Sequence, residues 1–111
     1  MPTVLLVDDT DVVRGLMQVV LEREGYDVLA AASPNEAIDA ARSAERIDLV
    51  VSDLVMPQMD AFELVERIRV EHPDVKVLYV SGYADVSAEG AFLAKPFTPR
   101  AFAAAVAELA A

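Results

Sequence analysis

A chain of 111 residues, 55% of them hydrophobic, has room for one modest core and is too apolar to remain unfolded. Its 19 acids against 9 bases give a net charge of −10 with no basic stripe, which argues against direct nucleic-acid binding and leaves a solvated acidic surface. With 0 cysteines there is neither a disulfide framework nor a thiolate metal site. The opening MPTVLLVDD lacks a basic region and turns acidic after its apolar run, so it is no signal peptide. No apolar run approaches the roughly 20 residues of a membrane span, so a cytoplasmic protein without membrane contact is expected.

Val4 to Val7 is a short continuous apolar run, suited to a strand buried on both faces. Val13, Leu16, Met17, Val20 and Leu21 recur at helical spacing, with Gly25 as a stop signal. Val28 to Ala31 reads as a second strand. Ser33-Pro34-Asn35-Glu36 then has capping-box spacing with proline at the first helical position, opening a helix to about Ala44. Leu49 to Ser52 is a third strand, followed by a helix from about Ala61 to Glu71 with Phe62, Val65 and Ile68 on its inner face. Val75 to Val80 and Ala91 to Ala94 are the fourth and fifth strands. Thr98-Pro99 opens a last helix with Phe102, Val106 and Leu109 on one side. That Ala-rich helix has no basic face, so it reads as a docked core helix and not a membrane-surface one. Alternating strands and helices imply an α/β fold with a parallel sheet covered on both faces. Residues 1–111 read as one domain, without repeat, low-complexity tract or linker.

In a doubly wound sheet, ligands bind beyond the carboxyl ends of the strands. Asp8 and Asp9 follow the first strand, Asp53 the third, Ser81 the fourth and Lys95 the fifth. Each has a plain structural explanation, as helix cap, turn residue or surface lysine. Independent caps and turns, however, need not fall one per strand on a single edge. Three converging carboxylates repel one another, and a hard divalent cation with oxygen ligands resolves this; Mg²⁺, which retains several waters, suits such a site.

LLVDD (5–9), LVVSDLVMP (49–57), VSG (80–82) and FLAKPF (92–97) stand in the order found in the receiver domains of two-component response regulators, which the whole chain resembles. The wording around SGYA (81–84) resembles receivers attached to, or paired with, hybrid histidine kinases. The resemblance implies a flavodoxin-like, five-stranded parallel sheet in the order 2-1-3-4-5. It implies that Asp53 is the phosphoacceptor, supplied by a histidine kinase or a histidine phosphotransfer protein. Asp9, Asp53 and the Val55 carbonyl would ligate Mg²⁺, with Asp8 acting through water. Lys95 would neutralise phosphoryl oxygens and Ser81 would hydrogen-bond one of them. Pro96 matches a proline whose bond to the lysine is usually cis. Phe92 matches an aromatic switch position, though a plain core aromatic explains it equally well. His72, before Pro73 in a turn, reads as a surface residue and not as a phosphodonor.

A competing class is the haloacid-dehalogenase phosphatases. VLLVDDTDVV (4–13) satisfies their Asp-x-Asp-x-Val signature through Asp9, Asp11 and Val13, making Asp9 the nucleophile and Asp11 the general acid, and VLYVS (77–81) passes for their second motif. Against it, Asp53 would have no role, and only Glu108 remains as an acid beyond Lys95. A non-catalytic adaptor with a vestigial pocket is disfavoured because every required side chain is present.

The chain departs from the family in two places. Gln58 and Ala61 stand where glycine is frequent in MPQMDAFEL (56–64), while Val55 and Tyr83 occupy variable positions flanking the phosphoryl site. Apolar bulk there would hinder hydrolysis, so a long-lived phosphorylated state is expected; fast loss of phosphate from isolated protein would contradict it. Gly82 to Gly90 is also too short for a full crossover helix with its loops, so the family's fourth helix is expected to be short or absent. That loss would uncover apolar sheet and the flank of the third helix, where a second copy of the chain or a partner protein is expected. Because no output domain follows residue 111, a phosphorelay shuttle or protein-interaction switch is expected.

Overall fold

The computed structural model describes residues 2–82 and 91–111. Its elements are β1 (Thr3–Val7), α1 (Asp11–Arg23), β2 (Asp27–Ala31), α2 (Pro34–Ser43), β3 (Leu49–Asp53), α3 (Ala61–Glu71), β4 (Lys76–Ser81), β5 (Ala91–Ala94) and α4 (Pro99–Ala110). The five strands form one parallel sheet in the order β2-β1-β3-β4-β5. This is the flavodoxin-like order implied by the resemblance. The expectation of a shortened fourth helix and the position of Tyr83 fall on residues 83–90, outside those described, and whether apolar sheet and the flank of α3 are left uncovered for a second copy turns on those same residues.

Strand residues alternate between the two faces. Leu5, Val7, Val50, Val77 and Tyr79 pack with α2 and α3, whereas Val4, Leu6, Leu49, Val51, Leu78 and Val80 pack with α1 and α4. The central strands therefore read as unbroken apolar runs, while the edge strands β2 and β5 are only partly buried.

The helix ends follow local chemistry. Gly25, at φ 92°, closes α1: its N–H bonds to Glu22 O and that of Tyr26 to Leu21 O, the paired bonds of a Schellman motif. Ser33 Oγ accepts from Glu36 N at 3.2 Å, and Glu36 Oε1 in turn accepts from Ala32 N at 3.3 Å, one residue upstream of the usual capping-box partner. Asp60 caps α3 and Thr98 caps α4. At the sheet's amino edge, Asp48 Oδ2 accepts from Thr3 N at 2.7 Å and its Oδ1 from Arg46 Nε at 2.8 Å. Burial raises the Asp48 pKa, but the Thr3 hydrogen bond and the Arg46 guanidinium outweigh it and hold the carboxyl below its ordinary range.

Two side chains differ from the sequence reading. His72 is buried, not at the surface, with Nε2 2.7 Å from the Ala41 carbonyl oxygen. It caps the end of α3 while lying against the last turn of α2, whose carbonyls have no partners within their own helix. Phe62 is 38% exposed, because Ala61, Leu64, Val65 and Ile68 form the buried stripe of α3. Its ring instead lies against Tyr79, with centroids 5.0 Å apart.

Candidate functional site

Strand register brings the charged residues together. Val7 pairs with Ser52, so Asp8 and Asp53, the next residues along, leave the sheet side by side. Asp53 pairs with Val80, and Ser81 with Ala94, which sets Ser81 and Lys95 on the same carboxyl edge. The ladder continues into the site: Asp8 N bonds to Ala31 O, Leu54 N to Val80 O at 2.8 Å and Lys95 N to Ser81 O at 2.7 Å.

Asp8 is fully buried, Asp53 has a side chain 13% exposed, and Asp9 lies open to solvent. One carboxylate oxygen from each lies within 4.8 Å of the others. Lys95 Nζ stands 3.3 Å from Asp8 Oδ2 and 3.4 Å from Asp53 Oδ2, bridging the two recessed acids. Asp8 Oδ1 accepts from Thr10 N at 2.8 Å, and Asp53 Oδ1 faces Val55 N at 3.4 Å. Ser81 is buried at the end of β4, the Lys95–Pro96 peptide is cis, and Phe92 packs against the α2–α3 side of the core. Val55, two residues beyond Asp53, is 54% exposed.

Burial is the main cause of a raised Asp53 pKa; Lys95 offsets part of the rise, the Asp8 charge adds to it, and the Val55 N–H lowers it again. Three carboxylates against one ammonium leave the cluster with two negative charges in excess. Compact oxygen donors with that excess fit a small divalent cation such as Mg²⁺. Asp11, by contrast, is the first residue of α1, with a side chain 86% exposed and ion-paired to Arg14. It stands outside the acidic cluster, so the alternative pairing of Asp9 with Asp11 as nucleophile and acid is not favoured.

Sequence reasoning passed over two features of this edge. The Arg14 guanidinium donates through Nη1 to the Asp8 carbonyl oxygen at 2.8 Å. An apolar groove of about 330 Å³, lined by Val13, Leu16, Lys95, Pro96 and Phe97, opens beside Lys95. The apolar spacing of α1 carried a partial signal, because Val12, Leu16 and Val19 exceed what one buried stripe needs and remain exposed, and Leu16 of these lines the groove.

A parallel sheet with acids and a lysine converging on its carboxyl edge defines a doubly wound α/β domain with a candidate site at the ends of its strands. The chain matches the response regulator receiver domain family over residues 4–107. It is 41% identical to the sensor kinase CckA of Brucella abortus over 96% of its own length, and 34% identical to sporulation initiation phosphotransferase F of Bacillus subtilis over 75%. It spans 12% and 66% of those two proteins, less than two thirds of either. The solved receiver domain of the hybrid histidine kinase CckA has a TM-score of 0.88 at 34% identity, covering 98% of this chain and 99% of that one. Vibrio cholerae chemotaxis protein CheY4 has a TM-score of 0.90 at 28% identity, covering 98% of each chain. The chain belongs to the receiver domains of two-component response regulators, a family of phosphoryl acceptors that use Mg²⁺. The likeness to a hybrid-kinase receiver agrees with the reading of SGYA. Among the described residues, no helix is long and apolar enough to cross a membrane.

Proposed function

We propose that this domain takes a phosphoryl group onto Asp53 from a phosphohistidine on a histidine kinase or phosphotransfer protein, and passes it on or uses it as an interaction switch. The observation that carries the reading is the position of the Asp53 carboxylate, at the end of β3 beside the buried Asp8, with Lys95 Nζ bridging the two. An Asp53 oxygen attacks phosphorus, the phosphorus–nitrogen bond of the donor breaks, and the electron pair returns to the imidazole, which takes a proton from solvent. Lys95 holds positive charge where the phosphoryl oxygens arrive, and Ser81, at the end of the neighbouring strand, offers a hydroxyl to one of them. Asp8, Asp9, Asp53 and the Val55 carbonyl would hold Mg²⁺, Asp8 through water, and the ion would supply the charge that offsets the phosphoryl oxygens.

A protein donor is supported by the surroundings. The Asp53 side chain is 13% exposed, and exposed Val12, Leu16 and Val19 with the Pro96–Phe97 groove provide apolar area on the same edge for a docked protein. The test is incubation with a small phosphodonor and Mg²⁺, comparing wild type with Asp53→Asn and Asp9→Asn. Both variants are expected to lose acyl phosphate. Continued phosphate turnover by Asp53→Asn, abolished by Asp9→Asn, would instead favour a phosphatase.

A further inference from the structure

We infer that Arg14 is a positioning residue for Asp9 and thereby sets the cation affinity of the acidic edge. This rests on reading the Asp8–Asp9–Asp53 cluster as a cation site. Asp9 is the exposed member of the three, and its carboxylate has no hydrogen bond or ion pair of its own among the described residues. The direction of its Cα–Cβ bond, and so the space its carboxylate can reach, is therefore set by the backbone on either side. The peptide before it presents the Asp8 carbonyl oxygen, which accepts from Arg14 Nη1 at 2.8 Å. The peptide after it presents the Thr10 N–H, which donates to Asp8 Oδ1 at 2.8 Å. Both peptide planes flanking Asp9 are thus clamped, one by Arg14 and one by the buried neighbour Asp8.

The clamp is itself held in place. The second arm of the Arg14 fork pairs with Asp11, the Arg14 side chain is only 19% exposed, and Arg14 N bonds to Thr10 O at 2.9 Å as α1 begins. A planar guanidinium gripping two acceptors fixes a peptide plane more firmly than a single flexible donor does. Supporting groups of this kind orient first ligands, and their loss typically costs 10- to 100-fold in metal affinity.

Two effects of opposite sign make the inference testable. Arg14 is positively charged, so Coulomb repulsion alone predicts that removing it tightens cation binding. The positioning role predicts that removal weakens it. Titration of the full chain with MgCl₂ by calorimetry at neutral pH separates the two, with thermal unfolding in EDTA as a check on folding. Arg14→Met, which keeps the apolar stem, is expected to raise the Mg²⁺ Kd roughly tenfold. Arg14→Lys keeps the charge and one donor to the Asp8 carbonyl but loses the fork, so its Kd is expected to fall between wild type and Arg14→Met. Because charge is unchanged in Arg14→Lys, weakening there is geometric, which keeps the inference testable if Arg14→Met does not fold. Binding by both variants as tight as, or tighter than, wild type overturns the inference. Failure of the wild type itself to bind Mg²⁺ overturns the cation-site reading and the inference with it.

Discussion

Removing the ammonium by Lys95→Met leaves three neighbouring carboxylates, one of them fully buried, without a countercharge. At separations of 3.3 and 3.4 Å, and an effective dielectric of about 20, each lysine–carboxylate attraction is about 5 kcal/mol before desolvation. Much of this is offset by the cost of taking the lysine out of water. Removing one partner of a buried pair costs 3–5 kcal/mol; with Lys95 still 24% exposed, about 3 kcal/mol is expected here. A divalent cation can replace the missing charge, so the loss is expected to shrink when Mg²⁺ is present. Urea denaturation of both proteins, in EDTA and in excess MgCl₂, reads both quantities. Equal stability of variant and wild type in EDTA, or a gap that Mg²⁺ leaves unchanged, would refute the electrostatic account of this edge.

Other expectations concern surfaces away from the acids. The double change Val12→Ser with Val19→Ser removes exposed apolar area from α1, and is expected to slow transfer from a phosphohistidine protein roughly tenfold, as loss of interface anchors does, while sparing transfer from a small donor; equal slowing of both would contradict docking there. His72→Ala is expected to lower stability by about 1–3 kcal/mol through the lost bond to the Ala41 carbonyl, leaving phosphoryl acceptance intact; loss of acceptance at full stability would give His72 a chemical role. Asp48→Ala breaks the bond to Thr3 N, with an expected cost of about 1–2 kcal/mol at neutral pH. Because the folded Asp48 pKa lies below the ordinary 3.8, its contribution is complete above that value and lost as pH falls through the lower folded value. The difference between Asp48→Ala and wild type is therefore expected to close in acid denaturation below 3.8, and a gap that widens there would contradict this sign.

Much of the fold was legible because central parallel strands are apolar on both faces: Val4–Val7 and Leu49–Ser52 advertise themselves as runs, and the candidate site residues Asp8, Asp9 and Asp53 sit just after them. That Asp8 and Asp53 emerge side by side is a matter of register, which no single strand reveals. Phe62 was misassigned because helical periodicity fits either 62-65-68 or 61-64-65-68, and the small Ala61 hides the second stripe. His72 was misread because His-Pro-Asp resembles a solvent turn, whereas its ring is drawn inward by a carbonyl 31 residues away in sequence. The Arg14 clamp joins a side chain to a backbone oxygen, and residue spacing does not report such a bond.

The most direct measurement locates the phosphoryl group. After incubation with a small phosphodonor and Mg²⁺, borohydride reduction converts an aspartyl phosphate to homoserine, and peptide mass spectrometry reads its position. The account predicts conversion at Asp53, absent in Asp53→Asn. Conversion at Asp8 or Asp9, or phosphate retained by Asp53→Asn, would contradict it.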